Sequence, residues 1–265
     1  MEVSQLAAEI HHALIALTCA MVRIQVALSI VPLFNKQTVP GLIRASIGLS
    51  LSLLVVPPVF MALHQGPALA GVDLMLIILK EALLGLLIGY AVATIFWGVE
   101  AVGFFIDNQR GASIASTLNP LTGNDSSPLG MLFNQAFAVY FLVVGGFGIF
   151  MTLMYASYGL WPVMRFLPGL PTQGIDVFAG LFAGVVRMAV LLSAPAIVAM
   201  MLAEMGLALV SRFAPQLQVF FLAMPVKCGM AFFVLVVYLP VLFDNLRGEI
   251  GRLPQLLGAL GTAIR

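Results

Sequence analysis

Charge is what this sequence has least of. Only 9% of its 265 residues are Asp, Glu, Lys or Arg, whereas a soluble domain carries roughly a quarter, and 62% are hydrophobic. That balance excludes a water-soluble fold. The few charges nearly cancel, with 12 Lys and Arg against 11 Asp and Glu, so no basic face exists to neutralise a phosphate backbone and nucleic acid is not an expected partner. Cysteine is equally scarce: Cys19 and Cys228 each lie in an apolar stretch, which indicates neither a disulfide framework nor a thiolate metal site. The three histidines, His11, His12 and His64, lack ligand spacing, and no nucleophile elbow, phosphate-binding loop or dinucleotide fingerprint is present. No catalytic residue, cofactor-binding residue or metal ligand is therefore assigned, and the chain is read as a non-enzyme. The stretch from Met1 to Glu9 also lacks the pattern of a cleaved leader, so the first helix is expected to be retained.

What is there is long apolar sequence. Six runs stand out, at about 13–34, 42–63, 74–106, 129–161, 177–210 and 219–243. They are punctuated by Pro40-Gly41, Pro57-Pro58, Gly66-Pro67, Asn119-Pro120, the 168–174 stretch, Pro215, and Pro240 with Gly248. Each is a predicted helix of an all-α membrane protein. The third, fourth and fifth are about 32 to 34 residues long, well beyond the roughly 20 that cross hydrocarbon. Gly85 with Gly89, and Gly180 with Gly184, have the small-xxx-small spacing that lets helix backbones approach in lipid. No internal repeat is evident, which weighs against an inverted-repeat transporter.

Ionisable residues sit where lipid would penalise them. Arg23, Lys80, Glu81, Glu100, Arg187, Glu204 and Lys227 all fall within or at the edges of apolar runs, and one charge at bilayer centre costs at least about 2.5 to 3.5 kcal/mol. They are expected to face protein or water. Lys80 and Glu81 fit either a helix start at the membrane interface or a protein-facing position; for Arg23, Arg187 and Lys227 the expected environment is a partner subunit. Arg247, Arg252 and Arg265 favour a cytoplasmic C-terminal end.

One segment, 106–130, is not apolar. Asp107 and Arg110 are spaced to pair on one helical face, and from Gly111 onward small and hydroxylated residues dominate, broken by Pro120, Gly123 and Pro128. A connection of roughly 20 residues without structure of its own is uncommon in a compact protein. Its polar backbone is excluded from hydrocarbon and needs water, protein or a water-lined cavity. Two readings remain open from composition: an exposed connecting loop, or a loop that lines or blocks a pore.

Four motifs in order now carry a resemblance. They are Val22-Arg23-Ile24 with Val31-Pro32-Leu33-Phe34, Val39-Pro40, Arg44 and Pro57; Lys80-Glu81-Ala82-Leu83-Leu84-Gly85 continuing to Gly89; Asp107-Asn108-Gln109-Arg110-Gly111-Ala112-Ser113 within 103–113; and Met224-Pro225-Val226-Lys227 closing 214–227. Together they resemble the FliR/SctT family of the type III secretion export apparatus, over essentially the whole chain, and the third and fourth are similar to the injectisome branch rather than the flagellar one.

That resemblance implies a single export-gate domain over 1–265, built of helical hairpins, with a plug-like loop at about 107–128. It implies a multi-pass protein of the bacterial inner membrane, within the secretion basal body, that helps form the conduit for unfolded secreted chains. The implied partners are FliP/SctR-type and FliQ/SctS-type subunits, an FlhB/SctU-type switch protein, needle or rod components above, translocating effector polypeptides, and membrane lipid. By the same resemblance the plug comprises Gly111, Ala112, Ser113, Ile114, Ala115, Ser116, Thr117, Leu118, Asn119, Pro120, Leu121, Thr122 and Gly123, anchored by Asp107, Gln109 and Arg110. The seven embedded charges become subunit contacts. A polytopic secondary transporter or ion channel is the alternative, and it would use those charges as a substrate or proton path.

Overall fold

The computed structural model describes residues 2–35, 39–66, 71–111, 127–165, 173–213 and 219–263. Among the described residues all regular structure is helical: α1 (Glu2–Ile30), a short 3-10 turn (Pro32–Phe34), α2 (Gly41–Ser52), α3 (Val56–Gln65), α4 (Gly71–Arg110), α5 (Pro128–Val143), α6 (Gly146–Leu160), α7 (Gln173–Phe213) and α8 (Val219–Ala263). Four of these, α1, α4, α7 and α8, are long and apolar enough to cross a bilayer, and the count rises to six if α2 with α3 and α5 with α6 each form one bent span. The chain is an all-α integral membrane protein.

The six apolar runs map onto these elements, but the second and fourth are broken. Helices α2 and α3 meet at an angle of 63° and α5 and α6 at 73°. At the first break, prolines occupy the opening turn of α3, where a missing N–H removes no helical bond. At the second, Gly145 has a φ of +83°, a left-handed conformation that glycine reaches without the steric cost of a Cβ. Proline does not act as a stop everywhere. Pro195 lies inside α7, and α8 runs through Pro240 and Gly248 to Ala263, although those two residues were expected to punctuate. In apolar surroundings the backbone has no water to turn to, so a long helix keeps its remaining bonds across a proline.

The chain divides into two compact units. The first comprises Met1–Ala93, Gly145–Gly180 and Arg252–Arg265, and the second Thr94–Val144 and Leu181–Gly251. In the first unit, small residues on α1 recur at helical spacing. Ala16, Cys19, Ala20 and Ala27 are fully buried, and part of this stripe packs with Val59, Ile77 and Val163. Helix α4 comes so near that a side chain on Gly85 would collide with the Arg23 carbonyl, and one on Gly89 would lie 2.9 Å from the Ala27 Cα. This is the close approach that the Gly85/Gly89 spacing allows. Gly180 and Gly184, with the same spacing, face open space.

The second unit is built on aromatic packing. Phe96, Phe137 and Phe141 are fully buried, and the Phe96 ring centre lies 4.8 and 5.2 Å from the other two, near the edge-to-face arrangement in the first case. Burial differs sharply between helices: 67% of the apolar window of α4 is covered within the chain, but only 22% of that of α7 and 17% of that of α8.

Candidate functional site

Two polar nodes lie on α4, one in each unit. The first is centred on Arg23, the largest of the fully buried side chains. Its guanidinium donates from Nε and Nη2 to the two carboxylate oxygens of Glu81, at 2.7 and 3.0 Å, the bidentate geometry that best offsets the loss of water. Two further donors are also used. Nη1 donates to the Ser157 hydroxyl at 2.9 Å and Nη2 to the Trp161 carbonyl at 2.9 Å. The face of the group lies 4.0 Å from the Tyr158 ring centre, in cation–π range.

Lys80 completes the node. Its ammonium pairs with Glu81 at 2.9 Å and donates to the carbonyls of Pro162, Val163 and Arg165 at 3.1, 2.7 and 2.9 Å. Together the two cations take four carbonyls at and just beyond the C-terminal end of α6, where the helix dipole and unpaired oxygens favour positive charge. The node ties α1, α4 and the end of α6 within one unit. Lys80 and Glu81 are buried, not at a water-exposed helix start, and the carboxylate that pairs with Arg23 belongs to its own chain.

The second node is centred on Asp107, which is 3% exposed. Its Oδ1 accepts from Arg110 Nε and Nη2 at 2.7 and 2.6 Å, the i,i+3 pair expected from spacing. Its Oδ2 crosses to α5, accepting from the Ser127 hydroxyl at 2.6 Å and the Leu129 N–H at 3.0 Å. Ser127 in turn accepts from the Gly130 N–H at 2.9 Å. Ser127 before Pro128 is thus an N-cap serine before an N1 proline. Gly111 turns the chain out of α4 with a φ of +85°, and Arg110 lies 5.4 Å from the Phe232 ring centre on α8. Gln109 is half-buried on the same turn. The other proposed plug residues, 112–123, lie outside the described residues.

Of the remaining embedded charges, Glu100 accepts from Asn134 Nδ2 at 2.7 Å. Lys227 pairs with Glu204 at 2.6 Å, the glutamate side chain being half exposed, and Arg187 stands on an exposed face of α7. Sequence reasoning missed Ser127, Ser157, Tyr158 and the four carbonyls. Ser127-Pro128 carried a capping signal that could have been read; the others carried none. Among the described residues no group of three or more His, Cys, Asp or Glu is placed to hold a metal ion.

Long apolar helices with most of their embedded charges paired inside the chain define a multi-pass membrane protein. Comparison then supplies the family. The sequence model described as Bacterial export proteins, family 1, matches residues 14–253, and the chain belongs to that family. It is 42% identical over 230 residues to the Yop proteins translocation protein T of Yersinia pestis, covering 86% of this chain and 87% of that protein. It is 32% identical over 239 residues to the surface presentation of antigens protein SpaR of Salmonella typhimurium, covering 89% and 88%. To the flagellar biosynthetic protein FliR of Bacillus subtilis it is 30% identical over 235 residues, covering 88% and 89%.

Proposed function

We propose that this chain is a structural and gating subunit of a type III secretion export gate, forming part of the conduit for unfolded proteins across the bacterial inner membrane. The observation that carries the reading is the family match over nearly the whole chain, with relatives named for protein translocation, antigen presentation and flagellar biosynthesis. The injectisome branch is favoured because identity is higher to the translocation protein, 42%, than to the flagellar one, 30%. The gate performs no chemistry of its own; its work is packing, lining and opening.

The distribution of apolar surface supports an assembly. Phe182, Val190, Leu202, Leu209, Phe233 and Val236 are all exposed on α7 and α8, faces suited to sister subunits of the FliP/SctR and FliQ/SctS types and to lipid. On this reading Arg187, Glu204 and Lys227 are subunit contacts, and FlhB/SctU-type, needle or rod, and effector chains are further partners. The segment 111–123 acts as the pore plug, anchored at its base by Asp107, Gln109 and Arg110. Deleting residues 112–121 in the assembled complex is expected to raise ion leakage across the inner membrane. Unchanged conductance contradicts the plug role, and a chain that purifies stably alone and shows ligand-dependent flux contradicts the subunit role.

A further inference from the structure

We infer that Asp107 is the positioning residue that fixes both ends of the polar segment to one point, by capping α5 from a different helix. The chain leaves α4 at Gly111 and enters α5 at Ser127, and one buried carboxylate holds the two sides together. Oδ1 is satisfied within α4 by Arg110, whereas Oδ2 is spent entirely on α5, on the Ser127 hydroxyl and the Leu129 N–H. The Leu129 and Gly130 amides are among the first N–H groups of α5, which have no partner inside their own helix. Two side chains divide them, Asp107 taking one and Ser127 the other.

The node is the last rung of a register. Along the α4 and α5 seam, Glu100 meets Asn134. A side chain on Gly103 would run into the Gly130 backbone, and Asp107 meets Ser127 and Leu129. The paired numbers rise on one helix as they fall on the other, as two antiparallel helices in fixed register require. A slip of one turn would break all three rungs at once. Two of them tolerate little substitution: a Cβ at Gly103 has no room, and an asparagine at 107 has only one oxygen with which to accept from both Arg110 and α5.

The test uses the complete export complex with Asp107→Asn, Ser127→Ala and the double variant. Amide hydrogen exchange is followed on peptides spanning 127–134, and ion leakage is measured in parallel. Asp107→Asn is expected to speed exchange at Leu129, and Ser127→Ala at Gly130, each by on the order of tenfold, the worth of one strong hydrogen bond. In the double variant both amides should exchange fast, each matching the single change that removes its own acceptor, and Asp107→Glu should recover part of the protection at Leu129. Leu129 exchange unchanged in Asp107→Asn, or as fast in Ser127→Ala as in Asp107→Asn, would overturn the inference; Asp107→Glu, the milder change, carries the test at Leu129 if Asp107→Asn does not assemble. The leakage arm rests on the plug reading. If deletion of 112–121 leaves leakage unchanged while exchange responds as expected, the plug reading fails and the positioning role stands. Should the deletion leak while exchange at Leu129 ignores Asp107, the positioning role fails alone.

Discussion

Replacing Glu81 by glutamine should destabilise the chain more than replacing Arg23 by methionine. The first unit buries two cations against one anion, and Glu81 is the anion, bonded to Arg23 at 2.7 and 3.0 Å and to Lys80 at 2.9 Å. Glutamine keeps the volume, so no cavity forms, but both positive groups lose their counter-charge in a buried site. Breaking a buried pair in this way costs about 3–5 kcal/mol. Arg23→Met removes a cation and leaves Glu81 paired with Lys80. It forfeits the two bonds to Glu81, those to Ser157 and Trp161 and the stacking on Tyr158, but leaves no charge without a counter-charge, so the cost is about 1–3 kcal/mol. The double variant Arg23→Met, Glu81→Gln should cost less than the two single changes added together, by a coupling of about 0.5–3 kcal/mol. Unfolding of the purified protein by SDS in mixed micelles, followed by helical circular dichroism, gives the order. If Glu81→Gln proves milder than Arg23→Met, the electrostatic account of this node is refuted.

Other changes probe packing. Gly89→Val should cost about 1–3 kcal/mol, because its side chain would enter the space of the Ala27 backbone, whereas Gly184→Ala, facing open space, should leave unfolding unchanged or raise stability by up to about 1 kcal/mol; the same SDS titration compares them. Phe137→Ala should cost about 3–5 kcal/mol by emptying the centre of the aromatic cluster, read as loss of the second unit's protection in hydrogen exchange. Glu204→Ala should change the chain's own stability by less than about 1 kcal/mol, since its partner Lys227 is reached across a half-exposed side chain. Its effect is expected in the yield of co-purified sister subunits.

Much of this architecture was legible in the residues. The apolar runs locate the long helices because a bilayer demands length and greasiness in one stretch, and Pro57-Pro58 open α3 just past the first break, whereas the second break, at Gly145, falls inside a run read as one helix. The size and direction of the bends were not legible, since a left-handed glycine at 145 says only that the chain can turn. Pro240 misled because a proline's meaning depends on whether water is available to the freed carbonyl. The polar ends of the apolar helices were also hidden: α1 begins at Glu2 and α8 extends to Ala263, past the apolar stretches that revealed them. Charge partners were the least accessible. Asp107 and Arg110 lie three residues apart and could be paired by eye, but Arg23 finds Glu81 across 58 residues, and the carbonyls that hold Lys80 have no signature in side chains.

On the proposed gate reading, the polar segment borders the path of a secreted chain. Photo-crosslinking tests it most directly: a photoreactive amino acid is placed at Thr117, and for comparison at the exposed Leu132 on α5, in complexes stalled with a secretion substrate. Substrate adducts are expected at Thr117 and none at Leu132. Adducts absent from Thr117 while the stalled substrate is captured elsewhere in the same complex would contradict it.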